Sequence, residues 1–123
     1  MLRLLLDEHI SPAVAEGLRR RHRTLIVHAL TEWEDGRFLG LDDTSCLLKA
    51  ASQQLTFVTY DRRTIPPLLK IWAEEERTHA GVIFIDEKTI PQANIGRLVN
   101  ALSRIFRESG AWDWTNLVCF LQK

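Results

Sequence analysis

Three acidic residues follow apolar segments of the chain at positions where their carboxylates could meet. Asp7 and Glu8 come directly after the apolar run at residues 2–6, and Asp61 follows a second such run at residues 56–60. Short apolar runs of this kind are typical of strands buried on both faces of a parallel sheet. Open parallel sheets bind ligands in the crevice at the carboxyl ends of their strands. We therefore expect Asp7, Glu8 and Asp61 to face one crevice.

Carboxylates held close together favour a cation between them. Two carboxylates within a few ångströms repel each other, so that either one takes up a proton or both share a metal ion. Mg²⁺ is suited to this role because it prefers oxygen ligands and is often completed by substrate phosphates. Asp43, predicted at the start of a helix, could reach the same crevice from the side. The alternative for any one of these acids is a helix cap or a turn residue.

Other site chemistries find less support in the sequence. The first strand is followed neither by GxGxxG nor by a GxxxxGK loop, so a nucleotide cradle is not indicated. The GxSxG elbow of the α/β hydrolases is missing as well. Four histidines, at positions 9, 22, 28 and 79, show no zinc-type spacing with the cysteines. The acids remain the best candidates for chemistry.

The segments that must position these acids alternate between strand and helix patterns. This alternation predicts an α/β fold, a three-layer α/β/α sandwich with a mostly parallel sheet of about five strands. Right-handed crossovers predict the strand order 2-1-3-4 with the fifth strand at the far edge, its direction left open. Residues 31–41 are predicted as a loop with one helical turn. Strands are expected at 2–6, 24–27, 56–60, 82–85 and 117–121, and helices at 12–22, 42–54, 65–77 and 91–109.

The length and composition predict a single domain over residues 1–123. Apolar residues make up 46% of the chain and charged residues 26%, as is typical of a globular protein. The apolar runs are shorter than the roughly 18 residues of a membrane span, and the N-terminus does not resemble a signal peptide. Cys46 and Cys119 lack CxxC spacing, which favours free thiols in a reducing compartment. We therefore expect a cytoplasmic protein without a membrane partner.

The net charge is zero, which argues mildly against a dedicated nucleic-acid binder. A dense basic cluster nevertheless occupies residues 19–23. We interpret it as a solvated helix end, where cations are favoured by the helix dipole, with an RNA-backbone contact as the alternative. Trp112 and Trp114 are interpreted as core or rim aromatics, with a partner surface as the alternative.

Two blocks of the sequence together resemble the PIN-like ribonuclease fold. The first is LLDEHISP at residues 5–12, which is similar to the opening of the short stand-alone PIN-like proteins. The second runs from Asp43 through Leu47 and Ala50 to FVTYD at residues 57–61, similar to the helix-opening acid and TxD strand end of that family. The resemblance covers residues 1–106.

This resemblance implies a metal-dependent endoribonuclease, with Asp7, Asp43 and Asp61 as catalytic ligands of Mg²⁺ or Mn²⁺ and Glu8 in or beside the site. Such a site hydrolyses a phosphodiester bond in single-stranded RNA, because the metal polarises the phosphate and lowers the pKa of a bound water. Many members of the family are toxins neutralised by an antitoxin, and they often dimerise. An antitoxin protein and a homodimer are therefore implied as partners.

The sequence departs from the family pattern after its TxD segment. A second aspartate and a phenylalanine are common there, where this chain has Arg63 and Thr64. Arg63 would either weaken metal binding or act as a phosphate clamp. Asp42 is an alternative to Asp43 as the helix-opening ligand.

Two further hypotheses remain. One is a catalytically inactive PIN-like module that binds a protein, motivated by Arg63 and the neutral charge. The other is a phosphoacceptor receiver domain with Asp61 as the acceptor. Receivers also need a lysine at the tip of the fifth strand and a helix after it, whereas Lys123 is the last residue here.

Overall fold

The computed structural model describes residues 1–121, which contain a five-stranded sheet. All neighbouring strands run parallel, in the order β2-β1-β3-β4-β5. The predicted α/β class and strand order are confirmed, and the fifth strand is parallel to the fourth. The strands are β1 (Arg3–Leu6), β2 (Ile26–Ala29), β3 (Thr56–Thr59), β4 (Val82–Phe84) and β5 (Val118–Phe120).

Four α-helices cover the two faces of this sheet. Apolar side chains of the first and fourth helices pack on one face, and those of the second and third pack on the other. A short turn at Trp33–Gly36 lies in the loop where one helical turn was expected, with Glu34 and Asp35 at left-handed φ values of 52° and 57°. The helices are α1 (Pro12–Arg21), α2 (Asp43–Ser52), α3 (Ile65–Glu74) and α4 (Ile95–Ser109).

Strand β1 lies between β2 and β3 and is buried on both faces. Leu4 and Leu6 belong to the core under α1 and α4, whereas Leu5 belongs to the core under α2 and α3. Directly after the strand, the Asp7 N–H donates a 2.9 Å hydrogen bond to the Val58 carbonyl of β3. The tip of β1 is thereby fixed against its neighbour.

Two helix starts near the sheet's carboxyl end follow from local capping. Ser11 Oγ accepts a 3.2 Å hydrogen bond from the Ala13 N–H, with Pro12 at the first helical position. Asp42 Oδ1 accepts a 2.7 Å hydrogen bond from the Ser45 N–H. Asp42 is therefore the N-cap of α2, and Asp43 is its first helical residue.

Several predicted boundaries were wrong for local reasons. Strand β2 begins two residues later than expected, because the Leu25 N–H closes a turn on the His22 carbonyl. Helix α3 ends at Glu74 rather than Arg77, and Glu76 takes a left-handed φ of 58° just beyond it. Helix α4 begins at Ile95 rather than 91, because Asn94 caps it through the Arg97 N–H.

Several large apolar side chains are exposed. Ile71 of α3 and Ile95 of α4 are 50% and 36% exposed. Trp112 is 58% exposed, while Trp114 is buried and donates from Nε1 to the Ser109 carbonyl at 2.9 Å.

The two cysteines are free thiols; Cys46 is buried and Cys119 half-buried. Within residues 1–121, no helix is long and apolar enough to cross a membrane.

Candidate active site at the carboxyl end of the sheet

A cleft of about 430 Å³ opens where β1 and β3 end side by side. Asp7 follows β1 directly, Asp61 lies two residues beyond β3, and Asp43 enters from the first turn of α2. The predicted meeting of these three acids at one crevice is what the fold produces. The cleft is lined by Asp7, Glu8, His9, Asp43, Tyr60, Asp61, Arg63 and Thr64.

Asp7 is the buried member of the group, with 7% of its surface exposed. Its Oδ1 accepts a 2.7 Å hydrogen bond from the Glu8 N–H, and its Oδ2 accepts one of 2.7 Å from the Thr59 hydroxyl. Burial raises the pKa of Asp7, and these two hydrogen bonds counteract part of that rise. The two hydrogen bonds thus hold the Asp7 carboxylate in place, although burial disfavours its charged form.

Thr59 connects two of the acids, a role that the sequence reasoning missed. Its hydroxyl donates to Asp7 and accepts a 3.0 Å hydrogen bond from the Asp61 N–H. The residue is fully buried at the end of β3. Its position two residues before Asp61 was the available signal, because a hydroxyl there can bond to the backbone two residues on.

The Asp61 carboxylate is held by its own turn. Its Oδ1 accepts hydrogen bonds from the Arg63 N–H at 2.9 Å and the Thr64 N–H at 2.8 Å. Burial alone would raise the pKa of Asp61, but the backbone bonds from Thr64 and Arg63 outweigh it and lower the pKa. Asp61 therefore stays ionised under mildly acidic conditions.

The pKa of Asp43 is shifted upward, in the opposite direction to that of Asp61. Burial, a side-chain hydrogen bond with Asp61 and the charges of Asp61 and Asp7 raise its pKa to about 6. Asp43 is therefore the one of these two carboxyl groups that takes up a proton, which it does below about pH 6. Uptake of a proton is expected where two carboxylates meet without a cation.

Of the three other residues predicted at or beside the site, Glu8 and Arg63 line the cleft and Asp42 does not. Glu8 lines the cleft, and its Oε2 accepts a 3.4 Å hydrogen bond from the Gly40 N–H. Arg63 lines it too, and within residues 1–121 its guanidinium forms no ion pair with any of the three aspartates. Asp42 instead serves as the cap of α2, where its bond from Ser45 lowers its pKa.

The carboxylates are the type of ligand that a hard divalent cation prefers, but they are not yet arranged around a common point. Oxygen ligands and mutual repulsion are what Mg²⁺ or Mn²⁺ would satisfy. In the described part of the chain, however, no three His, Cys, Asp or Glu side chains are already grouped to hold a metal together. Asp7, Asp43 and Asp61 would hold such a cation, and Asp43 would have to give up the proton that it binds below about pH 6.

Comparisons of the chain with protein-family models, curated proteins and solved structures gave no match.

Proposed function

We propose that this protein is a metal-dependent endoribonuclease that hydrolyses phosphodiester bonds in single-stranded RNA. The observation that carries the proposal is that Asp7, Asp43 and Asp61 line one cleft, where the neighbouring acids raise the pKa of Asp43 to about 6. A cleft lined by three carboxyl groups has an electrostatic preference for a cation. Carboxyl groups of strongly perturbed pKa in a cleft mark a candidate functional site.

In this proposal Asp7, Asp43 and Asp61 hold Mg²⁺ or Mn²⁺. The bound ion would polarise the phosphate and lower the pKa of an attacking water. The Thr59 hydroxyl fixes the position of the Asp7 carboxylate relative to the Asp61 backbone. Asp43 must lose its proton before it can act as a ligand, so its pKa of about 6 sets the lower end of the working pH range.

Arg63 is the residue that we assign to the RNA phosphate. Its side chain is exposed, lines the cleft, and does not neutralise the acids by direct contact. Its neighbour Arg62 is already engaged, because it pairs with Asp86 at 3.5 Å and lies 5.3 Å from the centre of the Phe120 ring. A guanidinium suits phosphate recognition because it can donate two parallel hydrogen bonds.

A cytoplasmic toxin neutralised by an antitoxin protein is the biological setting that we propose for this activity. It is supported by the resemblance of residues 5–12 and 43–61 to the stand-alone PIN-like proteins and by the two free thiols.

A second candidate is an inactive PIN-like module that binds a protein. It is favoured by the hydrogen bonds that Asp7 and Asp61 accept from the protein itself, without a cation. Both oxygens of Asp7 accept hydrogen bonds, and one oxygen of Asp61 serves its own turn. The two candidates differ in whether the cleft cuts RNA.

Cleavage of a labelled single-stranded RNA in MnCl₂ tests the proposal. We expect the wild type to cut and Asp61→Asn to lose at least about a hundredfold in rate, a typical effect of removing a catalytic charge. Asparagine can still accept the turn hydrogen bonds, so the fold should survive. Asp42→Asn is the matched control, because asparagine is an equally good N-cap. Equal rates for the wild type and Asp61→Asn would contradict the proposal.

A further inference from the structure

A second groove, of about 400 Å³, lies between α3 and β5 at the amino end of the sheet, opposite to the end that carries the acidic cleft. Leu69 and Trp72 of α3 and Val118 of β5 give it apolar sides. Polar side chains lie among them, above all Glu76, Arg77 and His79. Sites for small molecules commonly combine apolar walls of this kind with a few polar groups that orient the ligand.

His79 is the buried polar side chain of this groove, with 9% of its surface exposed. Its Nδ1 accepts a 3.0 Å hydrogen bond from the Gly81 N–H, so the proton of the neutral ring is on Nε2. Burial lowers the pKa of His79, which favours this neutral form. Within residues 1–121, Nε2 has no hydrogen-bond partner and is not among the fully enclosed unpaired side-chain atoms. The groove therefore contains a fixed N–H donor that no protein group satisfies.

The backbone of His79 is tied to the segment that leads into β5. The His79 N–H donates to Asn116 Oδ1 at 3.1 Å, and the His79 carbonyl accepts from the Asn116 N–H at 2.9 Å. Asn116 takes a left-handed φ of 61°, which asparagine tolerates better than most residues. These bonds position the imidazole before a ligand arrives, so that little ordering is left to oppose binding.

Arg77 places a flat cation beside His79. The Arg77 N–H donates a 2.8 Å hydrogen bond to the Trp72 carbonyl at the end of α3. Its guanidinium carbon lies over the Trp72 ring, 5.4 Å from the ring centre, while half of the Arg77 side chain remains exposed. Guanidinium planes are common stacking partners of nucleic-acid bases. Arg77 is thus held in position as a platform for a flat ring.

Glu76 supplies an acceptor and balances the charge of Arg77. It lines the same groove at a left-handed φ of 58°, and its carboxylate forms no ion pair within residues 1–121. The carboxyl end of α3, which lies beside it, adds the negative end of a helix dipole. This balance does not favour an anionic head group. It favours a neutral ligand that has both donors and acceptors on its edge.

We propose that this groove binds a guanine base. Guanine is neutral and flat, and it has acceptors at O6 and N7 next to donors at N1 and N2. The His79 Nε2–H and the Arg77 guanidinium donate to the acceptors, and the Glu76 carboxylate accepts from the two donors. The base belongs either to a free nucleoside or to single-stranded RNA. The proposal does not depend on whether the acidic cleft cuts RNA.

Calorimetric titration of guanosine into the full chain at neutral pH tests the groove. We expect saturable binding, with adenosine at least about tenfold weaker, because its N6 amino group offers Glu76 one donor in place of two. Glu76→Gln should weaken guanosine binding by about tenfold, since it removes charge-assisted hydrogen bonds. Glu74→Gln is the matched control, because Glu74 is exposed at the end of α3 and does not line the groove. No binding of guanosine, or an equal loss in both variants, would overturn the proposal.

The trinucleotide UGU, which presents the same base within RNA, distinguishes the two sources. Tighter binding of UGU than of guanosine assigns the groove to single-stranded RNA. Equal or weaker binding of UGU assigns it to a free nucleoside. Binding of neither would overturn the proposal.

Nitrogen NMR of the His79 ring tests the donor without any variant that could fail to fold. The wild type should show the proton on Nε2, and saturating guanosine should shift the Nε2 resonance. His79→Asn retains an acceptor for the Gly81 N–H in place of Nδ1 but has no Nε2–H. Its affinity for guanosine should therefore fall by about fivefold. A proton on Nδ1, or an Nε2 resonance that guanosine leaves unchanged, would contradict the proposal.

Discussion

The hydroxyl of Thr59 donates a 2.7 Å hydrogen bond to Oδ2 of Asp7, joining the ends of β3 and β1 inside the core. The same hydroxyl accepts from the Asp61 N–H. The buried acid of one strand and the turn of the other are therefore positioned by a single oxygen. We regard this contact as the structural basis of the candidate site.

Replacing Thr59 by valine should lower the free energy of unfolding by about 1–3 kcal/mol. Valine has nearly the shape of threonine but no hydroxyl, so the buried Asp7 carboxylate loses a hydrogen-bond donor. Urea denaturation measures this loss. Thr56→Val is the matched control, since Thr56 is also a buried threonine of β3 and donates to the Ala80 carbonyl at 2.7 Å. Both variants should be destabilised, but only Thr59→Val should also weaken Mn²⁺ binding. Equal Mn²⁺ affinity in both would remove Thr59 from the site.

Replacing Asp43 by asparagine should stabilise the protein at neutral pH. The pKa of Asp43 is raised from 3.8 to about 6 in the folded state, so its charged form is disfavoured there. The penalty is present above pH 6 and disappears as the pH falls towards the unfolded value. After allowance for solvent screening, we expect a gain of about 1 kcal/mol at neutral pH and none below about pH 4. Urea titrations at the two pH values measure it, and a variant less stable at neutral pH would contradict the assignment.

The layers of the fold and the meeting of the acids could be predicted from the sequence. Each depends on a local pattern, such as the apolar run before Asp7 or the acid that opens α2. Parallel strands connected by helices then bring their carboxyl ends to one edge whatever the loop lengths are. The separation of Asp7 and Asp61 along the chain was therefore no obstacle.

The contacts around the acids could not be predicted in the same way. The Thr59 hydroxyl has several possible partners until the register of β1 and β3 is known. The different pKa values of Asp43 and Asp61 depend on which carboxyl accepts the Arg63 and Thr64 backbone bonds. The β2 boundary was likewise decided by one turn bond, between Leu25 and His22.

Replacing Arg63 by alanine should weaken the binding of single-stranded RNA and reduce its salt dependence by about one phosphate contact. Fluorescence anisotropy over a salt series, with Ca²⁺ in place of Mn²⁺ to limit cleavage, measures both. Arg62→Ala is the control, because Arg62 is engaged with Asp86 and Phe120. A larger loss in Arg62→Ala than in Arg63→Ala would reverse our assignment of the phosphate contact.

Binding of Mn²⁺ should release a proton near pH 6. Asp43 holds a proton below its pKa of about 6 and must lose it to become a ligand. Affinity should therefore rise as the pH increases through about 6 and level off near neutral pH. Calorimetry in buffers of different ionisation enthalpy counts the released protons. Affinity that is independent of pH across this range would exclude Asp43 as a ligand.

Calorimetric titration of Mn²⁺ into the wild type, Asp43→Asn and Asp42→Asn at neutral pH tests the three-acid site most directly. These neighbouring acids differ in position, since Asp43 lines the cleft and Asp42 caps α2 through Ser45. We predict saturable binding by the wild type and by Asp42→Asn, with affinity lowered by about tenfold or more in Asp43→Asn. Equal binding by all three proteins, or a loss in Asp42→Asn alone, would contradict the account.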